Sequence, residues 1–183
     1  MKKTKNLLYV FIASILLSCN ENNNNDCDLP YFVGENKMNL DLNEKAQNSL
    51  EEIMKFSNYE FTDEISKIRT EISYELTENA QFFYIQDTRL EGLYNRTYYT
   101  WILPIKSLNP EEIHFQGHDE TLSLLIGNGN DDKKRFFLRV TSIKNGKIST
   151  NCETHSYTVI TFKPDELRMF RKNMISFIEN YNK

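Results

Sequence analysis

The chain has 183 residues, 22 Lys and Arg against 26 Asp and Glu, a formal net charge of −4 and 13% aromatic residues. The acidic balance argues against a nucleic-acid partner, which needs a basic face, and against electrostatic docking on anionic lipid. Abundant aromatics with only six glycines and four prolines argue against a disordered chain and for a packed core.

The chain opens Met1-Lys2-Lys3-Thr4-Lys5, with no acid before Glu21, and continues into an apolar stretch over 7–17. A bilayer-spanning helix needs roughly 20 apolar residues, so this stretch is too short to span. It has the length of a signal-peptide h-region. Leu16-Leu17-Ser18-Cys19 resembles the bacterial lipobox, in which a small residue precedes an acylated cysteine. The resemblance implies cleavage after Ser18, a lipidated Cys19 as first mature residue, and anchoring by acyl chains, each buried methylene contributing about 0.8 kcal/mol. Removal of 1–18 takes away three lysines and no acid, moving the charge from −4 to −7. The Asn-rich 20–26 segment cannot bury enough apolar surface to order itself and reads as a solvated spacer. The division expected is therefore a signal peptide over 1–18, a lipidated tether over 19–28 and one globular domain over 29–183. Wide use of Asn, Lys and Ile gives the chain the look of a Bacteroidota lipoprotein.

Three cysteines occur, Cys19, Cys27 and Cys152. With Cys19 acylated, an even pair remains, and the envelope outside the inner membrane permits disulfides. A bridge between Cys27 and Cys152 is expected; two unpaired thiols are the alternative.

Asp41 with Glu44 three residues on matches a capping box, and Ala46, Leu50, Ile53 and Met54 share one helical face, which predicts a helix over about 42–57. Residues 58–69 are ambiguous between loop and helix. From Thr70 the period becomes two: Ile72, Tyr74 and Leu76 alternate with Glu71, Ser73 and Glu75. Further strands are expected at 81–87, 97–103, 112–116, 121–126, 135–143 and 154–162, with a short addition at 148–151. Asn145-Gly146 is a strong hairpin signal. Pro164, followed by Asp165 and Glu166, starts a helix over about 164–181. Its stripe of Leu167, Phe170, Met174, Phe177, Ile178 and Tyr181 reads as core packing rather than a membrane-surface face.

The fold expected is α+β: an antiparallel barrel or sandwich of about seven strands with an N-terminal helix and a C-terminal amphipathic helix. Segments 98–115 (YYTWILPIKSLNPEEIHF) and 160–178 (ITFKPDELRMFRKNMISFI) are similar to small pleckstrin-homology-like (PH-like) domains, a layout covering 70–181. A lipocalin-like or other α+β arrangement is the alternative. The fold hosts many functions, and Glu78, Asp87 and Glu91 beside Arg89 and Arg96 give no basic cluster for a phosphoinositide.

The densest polar cluster, Glu111 to Glu120, offers His114, His118 and Asp119 as candidate zinc ligands. The two histidines stand four apart in a predicted strand and turn rather than on a helix, so a solvated hairpin tip is the competing reading. Cys152 with His155 has the composition of a nucleophile–base dyad, which a disulfide would forbid. Gly127-Asn128-Gly129 reads as a turn, not a dinucleotide loop. Tyr94, Tyr98, Tyr99 and Trp101 form the aromatic group most suited to a binding surface, with Tyr99 and Trp101 on one face and Tyr98 on the other. The resulting expectation is a lipid-anchored envelope lipoprotein facing periplasm or cell surface. It needs no cofactor and acts as a non-enzymatic protein-binding module, one form being an immunity-type lipoprotein. The alternatives are a small-ligand carrier or metal-dependent enzyme using the 111–120 cluster, and a structural envelope component.

Overall fold

A computed structural model of the chain describes residues 34–62, 67–92, 94–117, 123–127, 136–155, 157–160 and 162–181. The fold is α+β. Among the described residues, ten strands and two α-helices follow in the order β1 (Lys37–Met38), α1 (Glu44–Met54), β2 (Tyr59–Thr62), β3 (Lys67–Leu76), β4 (Gln81–Glu91), β5 (Asn95–Pro104), β6 (Ile113–Gln116), β7 (Ser123–Gly127), β8 (Phe136–Lys144), β9 (Lys147–His155), β10 (Tyr157–Ile160) and α2 (Pro164–Asn180). Two 3-10 turns, Ile105–Ser107 and Pro110–Glu112, lead from β5 into β6.

The strands form two sheets. The larger runs β1-β3-β4-β5-β8-β9, with β2 also on β3; the smaller runs β10-β7-β6. Among the described residues all pairings are antiparallel except β1 with β3. The expected barrel is corrected in that the sheet does not close. The free edge of β3 is taken by β2 over Lys67–Thr70 and by β1 at Glu75 and Leu76, and between them the Ser57 hydroxyl bonds the Ile72 backbone, so among the described residues no closing strand pairs there. The count of seven strands is corrected too. Segment 58–69 contains β2, a strand too short to show alternation. The short addition foreseen at 148–151 is the nine-residue β9, whose KISTNCETH sequence has little apolar content yet pairs along the whole of β8. Asn145 and Gly146 adopt φ of 51° and 75°, the pair of positive values a two-residue I′ hairpin requires.

Period two in β3 sends Ile72, Tyr74 and Leu76 to one face, where their direct partners on β4 are Ile85, Phe83 and Gln81. This inner face, with Leu103 and Phe136, meets the apolar stripes of both helices. From α1 come Ala46, Leu50 and Ile53; from α2 come Leu167, Phe170, Met174 and Phe177. Ile113, Leu124, Ile126 and Ile160 bring the small sheet to the same core. Phe170 stands edge-on to Phe56 (5.3 Å) and Phe162 (5.5 Å), and Phe83 edge-on to Phe177 (5.2 Å), the geometry that ring quadrupoles favour.

The helices lie against each other where small side chains meet, the Ser49 and Ser176 hydroxyls bonding at 2.8 Å. The N-cap of α1 is Asn43, not Asp41 as the capping-box pattern suggests. Asn43 Oδ1 accepts from the Ala46 amide at 2.9 Å, and its Nδ2 donates to the Asn180 carbonyl at 2.6 Å. An aspartate has no donor for the second bond. Arg171 ties α2 to the small sheet, its Nε donating to the Ile113 carbonyl at 2.7 Å while the guanidinium lies over the Phe115 ring.

Candidate functional site

Side chains alternate across a strand, and directly paired residues share a face. On the outer face of the large sheet, away from the helices, β3 presents Lys67, Arg69, Glu71, Ser73 and Glu75; β4 presents Leu90, Thr88, Gln86, Tyr84 and Phe82; β5 presents Arg96, Tyr98, Thr100, Ile102 and Pro104. The lower part of this face is a groove of about 330 Å³ lined by Glu60, Lys67, Arg69, Glu71, Gln86, Thr88, Leu90, Arg96 and Tyr98.

Within the groove, charges are mostly paired. Lys67 Nζ lies 2.8 Å from Glu60 Oε2, and Arg69 Nη2 3.1 Å from Glu71 Oε1. The Lys67 ammonium holds the Glu60 carboxyl below its usual range, through its hydrogen bond first and its charge second. Arg69 also donates to Asn58 Oδ1. Asn58 has φ of 68°, a conformation asparagine tolerates better than most residues. Arg96 makes no ion pair among the described residues. It stands beside Tyr98 as a guanidinium free to meet an incoming acceptor, in a groove with three cations to two carboxylates.

The inner face carries a different group. The Thr70 hydroxyl donates to Asp87 Oδ1 at 2.7 Å. Burial pushes the Asp87 carboxyl up, while the Thr70 bond and the Arg89 charge pull the other way. Arg89 lies over the Tyr99 ring with its guanidinium carbon 4.6 Å from the centroid.

The four aromatics singled out from sequence are thus dispersed. Tyr98 lines the groove. Tyr99 is covered by Arg89, and Trp101 packs against the core. Tyr94, 78% exposed, sits at the tip of the β4–β5 hairpin. The alternation placing Tyr98 opposite Tyr99 and Trp101 is present in the β5 register. Of the histidine cluster, His114 is exposed on β6, opposite Leu125; His118 and Asp119 lie outside the described residues. Among the described residues no group of three His, Cys, Asp or Glu is placed to hold a metal. Cys152 is disulfide-bonded, so in this oxidised form it carries no thiolate for the dyad considered with His155. Cys19 and Cys27 lie outside the described residues. Arg96 stands out in the sequence only as part of a mixed-charge stretch, and Lys67 and Arg69 do not stand out at all, although Lys67, Arg69 and Glu71 follow one another at period two, on the face opposite Ile68, Thr70 and Ile72.

A second cavity, about 300 Å³, lies between β1, β3 and α1, lined by Asn36, Met38, Gln47, Leu50, Glu51, Met54 and Tyr74. No helix among the described residues is long and apolar enough to cross a membrane. No family model matches the chain, no curated protein matches it, and no solved structure matches it.

Proposed function

We propose that this protein is a lipid-anchored lipoprotein of a bacterial cell envelope that acts as a non-enzymatic protein-binding module. Its anchor is an acylated Cys19, and its binding face is the outer groove around Arg96 and Tyr98. An immunity-type lipoprotein, which intercepts a protein toxin, is the concrete form of this reading. The observation that carries it is the pairing of an arginine free of ion partners among the described residues with a tyrosine in an open groove. Arg and Tyr are enriched where protein interfaces concentrate their binding energy. The surrounding ion pairs would set orientation and encounter rate more than affinity. The lipobox resemblance and the polar spacer at 20–26 support the placement.

The PH-like assignment belongs to the same proposal. It is supported by a run of antiparallel strands ending in an amphipathic helix that packs on the core; the open sheet departs from that pattern. A small-ligand carrier is the second reading, favoured by the cavity whose lining includes Met38, Leu50, Met54 and Tyr74, since methionine-rich linings accommodate varied apolar groups.

The test is site-specific photocrosslinking in intact cells from position 98, with position 148 on β9 as the control. The reading expects a discrete protein adduct from position 98 that disappears with Arg96→Glu and is absent from position 148. Equal, diffuse labelling from both positions would contradict it.

A further inference from the structure

The two edges of the large sheet are built differently. On β3 the edge is occupied by β1, by β2 and by the Ser57 hydroxyl. On β9, no strand among the described residues pairs beyond β8. β9 contains no proline and follows β8 without a bulge from Lys147 to His155. Lys147, Ile148, Ser149, Thr150 and Asn151 are exposed. Short strands, prolines and bulges commonly keep an edge from pairing with another chain, and β9 has none of them.

The hairpin sets which backbone groups face outward. Lys144 and Lys147 flank the turn and pair directly, and such a turn bonds the amide of its last residue to the carbonyl of its first. Odd-numbered positions of β9 therefore turn their N–H and C=O groups to β8, while Ile148 and Thr150 turn theirs to the open edge. Side chains follow the same alternation. Lys147 and Glu153, the charged residues of the stretch 147–154, lie in the row set continuous with the inner face, Glu153 pairing with Leu138. Asn151 Nδ2 donates to Glu153 Oε1 at 2.9 Å, and a carboxylate has room for further donors beside it. Ile148, 58% exposed, and Cys152 lie in the outer set.

Laid antiparallel against a second β9, the strand has one register that opposes Lys147 to Glu153. That register puts Thr150 on the two-fold axis, and it also opposes Ile148 and Thr150, whose backbone groups face outward, to positions of the same phase. Each Ile148 then meets the disulfide-bonded Cys152 of the other copy, which gives an exposed isoleucine an apolar neighbour. Registers centred on Lys147 or on Glu153 instead oppose like charges, which is destabilising.

We propose that β9 is a self-association edge, at which a second copy of this chain pairs antiparallel about Thr150 and continues the sheet. Backbone hydrogen bonds join the copies, and the two Lys147–Glu153 pairs select the register more than they add affinity. A two-fold contact of this kind closes on itself, so assembly stops at a dimer. The axis is normal to the sheet, and both outer faces look the same way. Because β8 and β9 separate the edge from β5, each Arg96–Tyr98 groove stays open. The proposal stands independently of what the groove binds.

Sedimentation of the purified full chain in density-matched detergent tests it. The parent should be a dimer. Lys147→Glu and Glu153→Lys, both at exposed positions, should each weaken the dimer at least tenfold, and the doubly swapped chain should regain it. A monomeric parent, a dimer indifferent to the single swaps, or a double swap that fails to restore it would overturn the proposal. Amide exchange needs no variant: the Ile148 and Thr150 amides should exchange at least tenfold slower in the dimer than in the diluted monomer, and equal rates would refute the pairing. In cells, a photocrosslinker at position 148 should trap a second copy of this chain, distinct in mass from the adduct sought at position 98. An adduct with a different protein would give the edge to that protein and refute self-pairing.

Discussion

The Thr70 hydroxyl holds the carboxyl of Asp87 at 2.7 Å on the inner face of the sheet, in surroundings that push the carboxyl's pKa upward by burial. A carboxyl whose folded-state pKa exceeds its unfolded value binds more protons when folded. Stability is therefore greatest with the group protonated and falls as pH rises from the ordinary aspartate value through the raised one. Asp87→Asn keeps an oxygen for Thr70 and removes the cost of the buried charge. The variant should be as stable as the parent at pH 7 or up to about 1 kcal/mol more stable, and it should lose that pH-dependent fall. Urea melts of both proteins across pH 3–7 check this; a variant destabilised at neutral pH by more than about 1 kcal/mol would contradict the burial argument.

Asn43 joins the start of α1 to the end of α2 through two bonds from one side chain. Asn43→Ala should cost about 1–2 kcal/mol, the range for a cap plus a partly buried hydrogen bond. Asp41→Ala should change stability by less than about 0.5 kcal/mol, as exposed substitutions away from special features do. Equal losses from the two variants, measured by chemical denaturation, would mean that the cap has been misplaced.

Phe170 and Met169 are adjacent on α2, yet Phe170 is buried between Phe56 and Phe162 while Met169 is 54% exposed. Phe170→Ala should destabilise by about 3–5 kcal/mol, and Met169→Ala by less than about 0.5 kcal/mol. The contrast reports which face of the helix meets the core. A comparable loss at Met169 would instead point to a partner on that face.

Cys152 is disulfide-bonded, and Cys27 is the expected partner. Peptide mapping without reductant should yield a single species joining Cys27 to Cys152. Reduction should lower stability by about 2–4 kcal/mol. A bridge from Cys19 to Cys152 in the mature protein would be incompatible with acylation of the Cys19 thiol.

The α+β class and both helices were legible because their apolar residues repeat at helical spacing and their ends carry strong signals, Pro164 with two acids most plainly. The hairpin at Asn145-Gly146 was legible for the same local reason. The cap at Asn43 was not, because its preference over Asp41 depends on a carbonyl 137 residues away. Nor was the full length of β9, of which only 148–151 was foreseen, because its Thr, Ser and Asn residues are set in a strand by pairing with β8 rather than by burial. At the candidate site the sequence supplied Tyr98 as a binding candidate and Arg96 only as one charge among several, and neither Lys67 nor Arg69. Lys67, Arg69 and Arg96 come together only because β3, β4 and β5 lie side by side in one register, and strand neighbours are a property of topology rather than of local pattern.

The most direct test of the central claim is the intact mass of the protein extracted from the membrane fraction of a bacterial host. A lipid-anchored module should give a chain that begins at Cys19, carries added acyl mass, and leaves the membrane fraction when Cys19→Ser is introduced. A membrane-associated chain without acyl mass, or one whose localisation is unchanged by Cys19→Ser, would contradict a lipid-anchored binding module.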